Sequence, residues 1–200
     1  MKLYGSSTSP YVRKVRVLAH ELGVKLDNIP IKVHEIPSDY GRINPVNRVP
    51  ALVIESNDLI CDSRVICEYI DVSHGSPFLP REGPARWQVL KLQVMGDGLM
   101  DAATPRVSEL ARPPERQWPH RLAEYERSIR QTLDALEDIA EKLDALNLGT
   151  ISIGCALGYL DFRLPTEPWR DRRPRLAAWY ASFADRPSMA TTSPLVAWNP

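Results

Sequence analysis

Residues 6–23 read SSTSPYVRKVRVLAHELG, a hydroxyl-rich run that meets a proline and then becomes a pattern of apolar residues at helical spacing. Val12, Val15, Leu18, Ala19 and Leu22 share one face, and Gly23 supplies a left-handed stop. Ser9 followed by Pro10 is a helix start in its own right. A serine oxygen accepts from the second or third helical amide, and a proline at the first helical position sacrifices no donor. Arg13 and Lys14 complicate this reading, because they stand near the helix start, where the dipole disfavours cations. Lys2 to Tyr4 before the loop is a short strand, so the chain begins as strand, hydroxyl loop, helix.

Working outward, Asn28 to His34 alternates as a second strand, with Pro30 better placed on a sheet edge than at its centre. A loop holding Pro37, Gly41 and Pro45 leads to a strand over Pro50 to Ile54. Ser56-Asn57-Asp58 then turns the chain back into Leu59 to Cys61. Val65, Ile66, Tyr69 and Ile70 mark another helix. The order is β-α-β-loop-β-β-α, closed by the linker GSPFLPREGP at 75–84. Beyond it strands nearly vanish. Trp87 to Leu110 reads as a helix kinked at Pro105, and Leu122 to Leu143 as one long amphipathic helix. Ile151 to Leu164 is apolar on nearly every side, with Gly154, Cys155, Ala156 and Gly158 small enough for other helices to approach. A last helix over Leu176 to Phe183 precedes an irregular tail. The expected fold is therefore α/β plus all-α: an α/β domain over 1–77, then a helical bundle over 85–200.

Composition narrows the function. Lys plus Arg and Asp plus Glu number 25 each, which leaves no electrostatic footprint for nucleic acid or an anionic membrane. No apolar run reaches membrane-spanning length and no leader is visible, so a cytoplasmic protein is expected. The three cysteines, Cys61, Cys67 and Cys155, lack C-x-x-C spacing and read as buried thiols of a reduced compartment. The four histidines make no metal-spaced pair, so no metal is expected. Likewise there is no G-x-S-x-G, phosphate-cradling glycine loop or dinucleotide fingerprint.

Three local signals occur in one order: Ser9-Pro10 at the first helix, the RVPAL segment whose Pro50 opens a strand, and the CDSRVI segment whose Asp62-Ser63 starts another helix. Together they resemble the cytosolic glutathione transferase family, over essentially the whole chain and closest to bacterial, serine-type, zeta- or theta-like members. The resemblance implies a thioredoxin-like N-terminal domain that binds glutathione and a helical C-terminal domain that shapes the second-substrate pocket. It places Ser9 where those enzymes carry the thiol-activating serine. Val49 precedes the proline that is cis in the family, and Asp62 and Ser63 match the pair that holds the γ-glutamyl end. Asn47 and Arg48 are candidates for the glycyl carboxylate. A homodimer is also implied, although no seam is evident in the sequence.

The chemistry suits these residues. A thiol of ordinary pKa, about 8.5, is only a few per cent ionised at neutral pH. A hydroxyl donor at a helix N-terminus favours its anion, and Arg13 and Lys14 either add positive potential there or are plain solvated cations. Capping alone also accounts for Ser9, Asp62 and Ser63. The leading expectation is an enzyme that joins the glutathione thiolate to a small hydrophobic electrophile. Its pocket would lie between the N-terminal loop and the first C-terminal helix, with Met95, Leu99 and Ala102 at helical spacing and Arg106 near an acidic substrate. The alternatives are a glutathione-dependent isomerase, reductase or peroxidase, and a non-catalytic binding protein of the same fold. A reductase running through a protein mixed disulfide needs a thiol where Ser9 stands. One departure concerns folding: the family's Ser/Thr-x-x-Asp capping box at the central helix is replaced by Asn147-Leu148-Gly149-Thr150, so Thr150→Asp is expected to raise the melting temperature.

Overall fold

The structure, a computed structural model, describes residues 1–32 and 35–195. Contacts group the chain into two units: Met1–Gly83 together with the segment from Pro187, and Pro84–Arg186.

The first unit holds β1 (Lys2–Gly5), α1 (Pro10–Glu21), β2 (Asp27–Pro30), β3 (Ala51–Val53), β4 (Leu59–Ile60) and α2 (Ser63–Ser73). Its sheet runs β2-β1-β3-β4, with β1 and β2 parallel and the other neighbours antiparallel. This mixed four-stranded sheet is the thioredoxin-like arrangement. Pro30 ends edge strand β2, where a missing amide costs no central ladder bond. That strand stops earlier than its alternation suggests, and Val33 and His34 lie outside the described residues. Val12, Val15, Leu18 and Ala19 of α1 are buried as the spacing predicts, and α1 ends before Gly23, whose φ is +68°. At the far end of α2, the Asp71 carboxylate accepts from the Phe78 and Leu79 amides at 2.9 and 3.0 Å, fastening the start of the linker. Burial pushes this carboxyl up, against the opposing pull of the two amides.

Two expectations change here. Arg13 and Lys14 are buried, not solvated. The tail is not wholly irregular either, because Pro187–Thr191 forms a short helix, α7, which groups with the first unit and not with the helical region expected over 85–200. For Arg13 the two changes share a cause. The Arg13 Nη2 donates to the Met189 carbonyl at 2.9 Å, and the Ser188 hydroxyl donates to Glu21 at 2.5 Å, so α7 covers a second side of α1.

The second unit is helical, with α3 (Gly83–Leu110), α4 (Pro119–Asp138), α5 (Leu148–Arg163) and α6 (Pro174–Ala184). Helix α3 begins inside the proline-rich stretch and continues through Pro105 to Leu110. Helix α4 stops at Asp138, and a tight turn over Ala140–Lys142 carries Leu143, which the sequence assigns to the same helix. Every residue of α5 from Leu148 to Leu160 is buried, which fits the expected central helix. Its neighbours come close: a Cβ on Gly96 of α3 would lie 2.6 Å from the Ser152–Ile153 backbone, and one on Gly154 would strike the Phe183 ring. Between α3 and α5 the Ser152 hydroxyl donates to Asp97 at 2.5 Å.

The start of α5 corrects the reading of its cap. Asn147 Oδ1 accepts from the Thr150 amide at 3.0 Å, and Thr150 Oγ1 accepts from the Asn147 amide at 2.9 Å, so the reciprocal box is closed by a threonine. Thr150 Oγ1 also donates to the Ala145 carbonyl at 3.0 Å. Because Thr150 is fully buried, an aspartate there would bury a carboxylate, and the expected gain from Thr150→Asp is withdrawn. Thr150→Val keeps the shape and loses these bonds. It should cost about 1–2 kcal/mol in denaturant unfolding, and an unchanged midpoint would contradict the role given to the hydroxyl.

The sequence does not reveal how α6 is capped. Arg173 precedes it without capping it. Instead Glu137, from the last turn of α4, accepts from the Leu176 amide at 2.7 Å and the Arg175 amide at 3.2 Å, and also pairs with the Arg175 guanidinium at 3.1 Å. Burial alone would raise this carboxyl, but those donors outweigh it and hold it below the usual carboxylate range.

Candidate functional site

Strand direction gathers the three motifs. β1 runs toward Gly5; antiparallel β3 starts beside it, with Ala51 opposite Tyr4; β4 returns alongside β3, with Ile60 opposite Leu52. The loop after β1, the residues before β3 and the residues after β4 therefore all leave the same end of the sheet. Ser9, Val49-Pro50 and Asp62-Ser63 occupy those three places.

The hydroxyl loop is built from short-range bonds. The Ser9 amide donates to the Ser6 carbonyl at 3.1 Å, the Thr8 amide to Ser6 Oγ at 3.4 Å, and the Ser6 and Thr8 hydroxyls lie 3.1 Å apart. Ser9 is the cap of α1, its Oγ accepting from the Val12 amide at 3.4 Å. Capping and thiol activation do not compete. A hydroxyl has two acceptor pairs and one proton, and the cap uses a single acceptor pair. A sulfur anion at this helix end would meet that proton and the positive end of the dipole.

The Val49-Pro50 peptide is cis, as is Cys61-Asp62. Val49 lies just ahead of the β1–β3 ladder, where an added strand could pair with it. Asn47 and Arg48 beside it are exposed, and Asn47 has φ +58°, a left-handed conformation that asparagine tolerates better than most residues. Asp62 caps α2 by accepting from the Arg64 amide at 2.9 Å, while Ser63 is the first helical residue and is nearly buried.

Other candidates are placed elsewhere. Arg106 lines a cleft of about 490 Å³ in the helical unit, with Ile129, Leu133, Leu160 and Trp169 among its walls. Its guanidinium is committed to Glu167 at 2.5 and 3.1 Å and to the Leu122 carbonyl at 2.9 Å, so it serves the fold. Leu99 and Ala102 are buried, and Met95 is half-buried. Cys67 and Cys155 are buried and outside any disulfide, whereas Cys61 is half-buried rather than internal. Among the described residues no group of three or more His, Cys, Asp or Glu side chains is arranged to hold a metal ion, and no helix is long and apolar enough to cross a membrane. Sequence reading missed Tyr40 and Asn44, both buried and both bonded to the Arg48 carbonyl.

Comparison with known proteins bears on this arrangement. Residues 3–78 match the family described as glutathione S-transferase, N-terminal domain, and residues 119–182 match glutathione S-transferase, C-terminal domain. The chain is 38% identical to the uncharacterized GST-like protein YibF of Escherichia coli K12, over 97% of this chain and 98% of that one. A glutathione transferase family member from Pseudomonas fluorescens Pf-5, solved with bound glutathione, is 41% identical with a TM-score of 0.91, covering 98% of this chain and 99% of that one. A glutathione S-transferase from Methylobacillus flagellatus KT, also solved with glutathione, is 32% identical with a TM-score of 0.90, over 97% and 99% of the two chains. This protein belongs to the glutathione S-transferase family.

Proposed function

We propose that this protein binds glutathione at the end of the first unit's sheet and activates its thiol for attack on a small hydrophobic electrophile. The observation that carries the reading is the convergence of Ser9, Val49-Pro50 and Asp62-Ser63 at that one sheet end. The glutathione found in the two bacterial relatives supports it. In this reading the Ser9 hydroxyl donates to the thiolate. Val49 pairs its backbone with the cysteinyl residue, and the α2 amides and Ser63 take the γ-glutamyl carboxylate while Asp62 takes the ammonium. Asn47 and Arg48, exposed on the adjacent loop, face the glycyl carboxylate. Glutathione is a co-substrate here and no metal takes part.

The electrophile then approaches the sulfur. The C–S bond forms from the thiolate lone pair, and the displaced group leaves with the bonding electrons. The same thiolate can instead add reversibly to a substrate double bond, which would make the protein an isomerase. Calorimetry with glutathione, followed by assays with electrophiles, peroxides and maleyl compounds, separates these outcomes. Binding with conjugation supports the proposal, and absence of glutathione binding removes it.

A homodimer belongs to the same proposal. Val65 and Val72 on α2, and Trp87 and Val94 on α3, each lie seven residues apart on their own helix and are more than half exposed. Sedimentation at twice the 22.6 kDa chain mass is expected, and a monomer would refute it.

A further inference from the structure

The loop ahead of Val49 is fastened from inside. Tyr40 and Asn44 each expose 1% of their surface, and their side chains converge on one atom, the Arg48 carbonyl oxygen. Tyr40 Oη donates to it at 3.0 Å and Asn44 Nδ2 at 2.8 Å. Asn44 also works from its other end: its Oδ1 accepts from the Val46 amide at 3.1 Å, and its backbone carbonyl accepts from the Asn47 amide at 2.9 Å. The side chains of Asn47 and Arg48 are meanwhile exposed. A carbonyl with two buried donors on it has its direction fixed. The Arg48 carbonyl and the Val49 N–H belong to the same planar peptide unit, and in a trans peptide they point in opposite directions. Holding the oxygen inward therefore turns the Val49 N–H outward.

We infer that Tyr40 and Asn44 are positioning residues for glutathione, acting through the Arg48–Val49 peptide plane to aim the Val49 N–H at the cysteinyl carbonyl of the bound tripeptide. This rests on the glutathione reading given above. Tyr40 keeps its proton for the task, because burial raises its hydroxyl and the hydrogen bond with Asn44 offsets this only in part. Its ring also sits in a small core with Ile31 and Ala51 that does not depend on the hydroxyl.

Tyr40→Phe deletes the hydroxyl and keeps that ring. In calorimetry on the full chain it should weaken glutathione binding about three- to tenfold, the loss falling on KM for glutathione and not on kcat, while the melting temperature changes little. Asn44→Ala removes bonds at both ends of the amide and should weaken binding further; if it does not fold, Tyr40→Phe alone decides. A Tyr40→Phe protein that binds glutathione as tightly as wild type overturns the positioning role and leaves the glutathione reading intact, and so does one that only melts earlier. Wild-type protein that does not bind glutathione at all overturns both.

Discussion

Ser9→Ala should move the pH profile of catalysis, measured with glutathione saturating, upward by about one to two units. The size follows from the bond deleted: a hydrogen bond to a charged group is worth about 1.5–3 kcal/mol, and one pKa unit is about 1.4 kcal/mol. The loss of rate at neutral pH is smaller than the shift suggests. A two-unit rise cuts the thiolate fraction roughly 25-fold, but the more basic thiolate is a better nucleophile with a Brønsted slope near 0.45, so the net fall is only about threefold. The two effects separate with pH: the deficit should shrink as pH rises and reverse where both proteins are fully ionised, because the more basic thiolate is then about eightfold more reactive by the same slope. Most of the acceleration must then come from holding the electrophile against the sulfur. Glutathione affinity should stay within about tenfold of wild type. A profile that does not move removes Ser9 from the mechanism.

Glu137→Ala is expected to cost about 2–4 kcal/mol of stability at neutral pH, since it leaves the Arg175 and Leu176 amides at the start of α6 without their acceptor and breaks the pairing with the Arg175 guanidinium. The pH dependence has a definite sign. The folded-state carboxyl is held below its ordinary value, so its contribution is present above the ordinary glutamate pKa of about 4.3 and is lost as pH falls through the folded-state value. The gap between wild type and variant in urea unfolding should therefore be widest near pH 7 and narrow below about pH 4. A gap of constant width would show that Glu137 acts through packing and not through its charge.

These two residues mark what the sequence makes legible. Ser9 could be read because its signal is local: the cap, the proline and the helix they start are neighbours in the chain. Asp62 and edge Pro30 were legible for the same reason. Glu137 could not be, because it caps a helix 38 residues further on and nothing near it in sequence says so. Tyr40 and Asn44 escaped notice because their partner is a backbone carbonyl, which has no sequence signature. Arg13 and Lys14 misled in the opposite direction. Charge implies solvent unless another element covers it, and for Arg13 the covering helix α7 lies some 175 residues away in a segment with weak periodicity. At the start of α5 the box was recognisable but its second partner was a threonine in place of the expected acid.

That late helix has a bearing on biogenesis. Translation delivers α1 before the helical region and α7 after it, so the nascent first unit must wait through synthesis of that whole region before the Arg13 guanidinium meets the Met189 carbonyl. The first unit is thus completed only after the helical region has been made, and a fragment cut at the linker would carry that cation without its acceptor.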